Sequence, residues 1–144
     1  MNLYIDTSAL LKLFIQEIYS DEIRQLVENA DVTATGLITR AETAAGINRL
    51  TRMKIINQEQ CEAALNNFRK EWSDYHRIVV TEQIVIRADF LTAQFSLRGY
   101  DAIHLACALT WREFLGASVL FATFDSELHE AARKSGFDVF PQEM

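Results

Sequence analysis

Short apolar, strand-like runs alternate with longer helix-like segments along the whole chain, and this alternation is what most restricts the fold. "LYI" opens the chain as a buried strand. "DVTAT", "RIVVT", "ASVLFAT" and "FDVF" follow at intervals with the same β-branched and aromatic character. The segments between them place apolar residues three and four apart, as one face of a helix requires. Ala9, Leu10, Leu13 and Phe14 form such a face. Ile23, Leu26 and Val27 form the next, with Ser20 as its expected cap. Asn57 and Gln60 stand at capping-box spacing, Thr81 can cap "EQIVIRADFLTAQF", and Gly136 is placed to end "DSELHEAARKSG". Parallel strands need crossover helices that cover both sheet faces. The expectation is an α/β fold: three layers, with a mainly parallel central sheet flanked by helices.

At 144 residues and 49% hydrophobic, the chain suffices for one domain with a real core, expected over 1–144. The N-terminus shows no basic leader ahead of an apolar segment. Every apolar run is also too short to span a bilayer, so a cytoplasmic protein without a membrane segment is expected. Cys61 and Cys107 lie in helix-like segments without metal-ligand spacing and read as buried thiols. The net charge of −6 argues against coating nucleic acid through bulk positive charge. A nuclease remains compatible with it, because a carboxylate site contributes negative charge of its own.

In open parallel sheets, ligands bind beyond the carboxyl ends of the strands. Asp6 ends the first strand and Asp125 lies just past "VLFAT". Glu42 is near the start of the helix after "DVTAT", and Asp101 opens the helix "GYDAIHLACALTWREF". Each has a local explanation as a helix cap or first-turn acid. Together they form an oxygen-only set suited to a hard divalent cation such as Mg²⁺ or Mn²⁺ rather than zinc. No Walker loop, dinucleotide-binding glycine turn or nucleophile elbow is present, and Ser8 stands where an aspartyl phosphatase would need a second Asp. His104, inside "AIHLACAL", reads as a packed helix residue, and His129 as solvated. Lys12, Arg40 and Arg98 are near the acids and can be phosphate contacts or plain surface charges.

"YIDTSALLKLF", "TRAETAAGI", "GYDAIHLACAL" and "FATFDSEL" together resemble the acidic motifs of the PIN-domain nuclease family. The short chain resembles its VapC-type toxins. The resemblance implies Mg²⁺- or Mn²⁺-dependent RNA cleavage with Asp6, Glu42, Asp101 and Asp125 as the catalytic acids. Asp6, Asp101 and Asp125 would be the metal ligands, and Ser8 and Thr123 the supporting polar residues. It further implies a homodimer inhibited by a small antitoxin protein. An RNA-maturation nuclease without an antitoxin, and a non-catalytic protein-binding module whose acids only cap helices, are the alternatives. On this reading Asp6 is a ligand, leaving Thr7 or Ser8 to satisfy the helix start.

Overall fold

The structure, a computed structural model, describes residues 1–144. Five strands form one fully parallel sheet in the order β3-β2-β1-β4-β5. They are β1 (Asn2–Ile5), β2 (Val32–Gly36), β3 (His76–Ile78), β4 (Val119–Ala122) and β5 (Asp138–Phe140). The helices are α1 (Thr7–Leu11), α2 (Ser20–Asn29), α3 (Thr39–Arg52), α4 (Gln58–Glu71), α5 (Glu82–Phe95), α6 (Gly99–Leu115) and α7 (Ser126–Lys134). The three-layer α/β expectation holds.

Strand β1 sits in the centre, and its side chains alternate between two cores as the strand period demands. Tyr4 joins Phe121 and the buried faces of α5, α6 and α7 on one side of the sheet. Leu3 and Ile5 pack with α1, α2 and α4 on the other. All three are fully buried, which explains why β1 is an unbroken apolar run rather than an alternating one. Helix α3 packs between α1 and α4, where Gly46 brings its backbone against Leu11. Helix α6 is buried on most of its circumference, in keeping with the apolar "AIHLACAL".

Phe68 of α4 is fully buried between Phe14 and Trp72, with ring centroids 5.4 and 5.5 Å away. Truncating it leaves a cavity lined by rings that cannot collapse into the space. Phe68→Ala is expected to lower stability by about 3–5 kcal/mol in a denaturant titration. A change below about 1 kcal/mol would mean that this second core contributes little.

Several local expectations differ from the structure. Strand β3 stops at Ile78, the last residue paired with β2, and beyond it Val79 turns outward to 61% exposure. Helix α1 ends at Leu11, so Leu13 and Phe14 pack from a turn. Ser20 does not cap α2, whose N-cap is Tyr19. The Ser20 hydroxyl is buried, accepting from Glu17 N–H and donating to the Ile15 carbonyl. His129 is buried, not solvated, with Nε2 2.6 Å from the Pro141 carbonyl. Lys12 is also buried, its ammonium 4.5 Å from the centre of the Phe124 ring and 3.4 Å from Glu17. The Asn57–Gln60 capping box and the Thr81 cap are present. Cys61 and Cys107 are buried free thiols, and burial pushes Cys107 up to about 12.

Candidate active site

Asp6 leaves the carboxyl end of β1, where its N–H still bonds the Ala122 carbonyl of β4. Its carboxylate is buried and held from several directions. Oδ1 accepts from Ala9 N–H at 2.9 Å and from Ser8 Oγ at 2.7 Å, and Oδ2 accepts from Thr123 Oγ1 at 2.6 Å. Asp6 is therefore the N-cap of α1 as well as a site acid, and Thr7 and Ser8 do not replace it in that role. The Ser8 and Thr123 hydroxyls extend the network by accepting from Phe124 N–H and Asp125 N–H. Two loops from opposite ends of the chain are thereby tied to one carboxylate.

The remaining acids form the rim. Asp125 caps α7 through Leu128 N–H, while Asp101 lies in the first turn of α6 without capping it. Glu42 lies in the first turn of α3 and accepts from Thr7 Oγ1 at 2.7 Å. Asp6 and Asp125 thus cap helices and Glu42 is the first-turn acid that the sequence implied, whereas Asp101, expected as a cap, is a first-turn residue behind Arg98. Arg98, 76% exposed, lies across two of the acids, with Nε 3.2 Å from Asp101 Oδ2 and Nη2 2.9 Å from Asp125 Oδ2. A cleft of about 490 Å³ opens beside them, lined by Glu42, Arg98, Gly99, Tyr100, Asp101 and Ile103.

The electrostatics follow from this crowding. Burial pushes the Asp6 carboxyl above its ordinary value, more than its hydroxyl and backbone donors pull it down. Asp101 is also raised, first by burial and then by the Asp125 charge, against the opposing pull of Arg98. Glu42 moves the other way. Burial alone would raise it, but the hydrogen bonds from His104 and the Thr7 hydroxyl hold it low.

His104 is the residue that the helical pattern concealed. It is buried, as a packed residue would be, yet its ring spans Tyr4 and Glu42. Nδ1 is 2.8 Å from the Tyr4 hydroxyl and Nε2 is 2.9 Å from Glu42 Oε1. The available signal was its spacing, three residues after Asp101 and so on the same face of α6. Nothing local marked Tyr4. Of the other cations near the acids, Lys12 is held against Phe124 and Arg40 lies over the Phe68 and Trp72 rings.

The donor set is oxygen-only, and mutual repulsion among its charges is what a hard divalent cation relieves. In chemistry the residues fit such an ion. In arrangement, no three His, Cys, Asp or Glu side chains enclose a cation position, and the Arg98 guanidinium lies against two of the acids instead.

Comparison with known proteins bears on the whole chain. It is 27% identical to Ribonuclease VapC45 of Mycobacterium tuberculosis, over 98% of this chain and 96% of that one. Ribonuclease VapC46 of the same species is 27% identical, with 95% of each chain covered. The fold is similar to a toxin-antitoxin complex from Klebsiella pneumoniae, with a TM-score of 0.69, 22% identity and full coverage of both chains. It is also similar to FitAcB from Neisseria gonorrhoeae, with a TM-score of 0.65, 14% identity and 97% of each chain covered. The PIN domain sequence model matches residues 3–134, a span that runs from β1 through the last helix and includes Asp6, Glu42, Asp101 and Asp125, and the chain belongs to the PIN domain family.

Proposed function

We propose that this protein is an endoribonuclease that hydrolyses RNA phosphodiester bonds in the Asp6–Glu42–Asp101–Asp125 cleft, and that it is the toxin of a toxin–antitoxin pair. The observation that carries this reading is that four acids from four separate chain segments lie toward the carboxyl end of the parallel sheet, where Arg98 bridges Asp101 and Asp125 and where Glu42 and Asp101 line one cleft. The names of the relatives, ribonucleases and toxin–antitoxin complexes, support the substrate and the antitoxin partner. A homodimer is part of the same proposal.

Asp6, Asp101 and Asp125 would hold Mg²⁺ or Mn²⁺, with Ser8 and Thr123 fixing the Asp6 oxygens. When bound, the cation supplies polarisation of the scissile phosphate and a water of lowered pKa. Glu42, held ionised, accepts a hydrogen bond from the attacking water and directs it at phosphorus. Arg98 leaves the acids and pairs with a phosphate oxygen, an exchange open to it because its side chain is mostly in solvent. The exposed ring of Tyr100, in the same cleft, offers a face on which a base can stack.

The alternative route, attack by the ribose 2′-hydroxyl, needs an acid–base pair in the cleft. The histidines do not provide it: His76 stacks on Trp111, His129 bonds the Pro141 carbonyl, and His104 is buried behind Glu42. Fragments are therefore expected to carry 5′-phosphate and 3′-hydroxyl ends. Sequencing of RNA ends after expression, beside an Asp101→Asn control, checks both activity and route. Ends bearing 2′,3′-cyclic phosphate that vanish in the control would overturn the hydrolytic mechanism, and identical profiles in the two samples would overturn the nuclease.

A further inference from the structure

We infer that His104, steadied by the Tyr4 hydroxyl, is a positioning residue that fixes the Glu42 carboxylate for cleavage. This rests on the reading of Glu42 as the group that directs the attacking water. The chain of contacts runs from the core to the cleft: Tyr4 Oη to His104 Nδ1 at 2.8 Å, then His104 Nε2 to Glu42 Oε1 at 2.9 Å. Thr7 Oγ1 donates to the same Glu42 oxygen at 2.7 Å and lies 3.3 Å from Nε2. One oxygen of Glu42 is thus fully engaged, and Oε2 is left for the cleft. The tautomer follows from the partners: the carboxylate accepts only, so Nε2 carries the proton and the Tyr4 hydroxyl donates to Nδ1.

A buried, hydrogen-bonded histidine is on its own unremarkable. What sets this one apart is where its bonds go. Tyr4 belongs to the larger core and His104 is buried beside it, and an apolar pair of similar volume would fill that space without any polar group to satisfy. Their polar atoms are used on a carboxylate that is 28% exposed and belongs to the cleft. The rear of the relay is closed as well. Tyr4 is fully buried and its ring stacks on Phe121 with centroids 5.0 Å apart, which fixes the phenol in place. Rigid backing of this kind holds a side chain at its working position more firmly than a solvent-exposed partner does.

Three substitutions separate positioning from simple core filling. His104→Asn keeps a polar group near the Nδ1 position and falls short of Glu42; His104→Gln reaches the Nε2 position and can donate to Glu42. Tyr4→Phe removes only the hydroxyl. With a defined RNA and saturating Mg²⁺, His104→Asn should lower kcat about 30- to 100-fold with KM within about twofold, as a misplaced catalytic group does. His104→Gln should recover to within about fivefold of the wild-type kcat, and Tyr4→Phe should lose about three- to tenfold. Because Asn also leaves the larger void, the ranking is read in kcat on variants shown to be folded at the assay temperature, and Tyr4→Phe, which leaves the ring in place, separates positioning from packing.

Independently of activity, ¹⁵N–¹H correlation of the His104 ring in the metal-free protein should show the proton on Nε2 and a bare Nδ1, with that preference weakened in Tyr4→Phe. Wild-type kcat in His104→Asn, equal loss in Asn and Gln, or a proton fixed on Nδ1 with Nε2 bare would overturn the positioning role and leave the nuclease reading intact. If His104→Asn fails to fold, an unchanged kcat and ring spectrum in Tyr4→Phe would overturn it equally. Wild-type protein that cuts no RNA would overturn the reading of the site, and the positioning role with it.

Discussion

Asp6→Asn is expected to reduce metal-dependent RNA cleavage by about 10²–10³-fold or more while leaving the protein folded, because it removes charge and keeps shape. The asparagine carbonyl can still accept from Ala9 N–H and Ser8 Oγ, preserving the cap of α1. Its amide then faces the Thr123 hydroxyl, which can turn from donor to acceptor. Asp6→Ala is the informative contrast. It deletes the cap, at a cost of about 1 kcal/mol, and strips partners from hydroxyls at a buried position, at about 1–3 kcal/mol for each left unsatisfied. Both variants should be inactive, yet only the alanine should melt clearly below wild type. Cleavage by Asp6→Asn at the wild-type rate would remove Asp6 from the site, and equal melting of the two variants would contradict its capping role.

Asp101→Asn is expected to stabilise the metal-free protein at neutral pH and to abolish most of its response to Mn²⁺. The carboxyls of Asp6 and Asp101 are both raised in the folded state, by burial first in each case and at Asp101 also by the Asp125 charge. A carboxyl raised above its unfolded value of about 3.9 favours the fold fully below that value, and its contribution is lost as the pH climbs through the folded value. The stability difference between metal-free Asp101→Asn and metal-free wild type should therefore grow in favour of the variant as the pH rises above about 4. Arg98 does not cancel this effect. It is largely in solvent, where such pairs are screened, and in the variant it still has Asp125.

A cation that binds only the folded state adds about 2.7 kcal/mol at 100 times its Kd, so wild type should gain several degrees in millimolar-range Mn²⁺. Thermal melts in EDTA and in Mn²⁺ at fixed ionic strength, from about pH 4 to 8, measure both effects. Equal Mn²⁺ responses in wild type and variant would refute Asp101 as a ligand. A variant less stable than wild type without metal would show that Asp101 contributes through its bond to Arg98 rather than straining the site.

The acids were legible before any coordinates because each occupies a local landmark. Asp6 and Asp125 follow apolar runs that could only be buried strands, and Glu42 and Asp101 open helices whose period is plain. Alternation of strand and helix then implied a parallel sheet, and a parallel sheet has one edge where such residues gather. The sequence by itself thus determined the layers, the order of elements along the chain and the side of the sheet on which these carboxylates lie.

Only the tertiary structure decided which groups touch. Placing β1 between β2 and β4 sets Tyr4 against His104, 100 residues on, and brings Glu42 to the same ring from 62 residues away. The same packing lays Arg98 across Asp101 and Asp125, buries Lys12 beneath Phe124, and seals His129 under the Pro141 carbonyl. Periodicity and capping report interactions within about four residues, whereas these partners are chosen by strand order and by how far each helix extends. A polar side chain on an apolar helix face looks the same in sequence whether it merely fills the core or holds a carboxylate, since the difference lies in the atoms that face it from other elements.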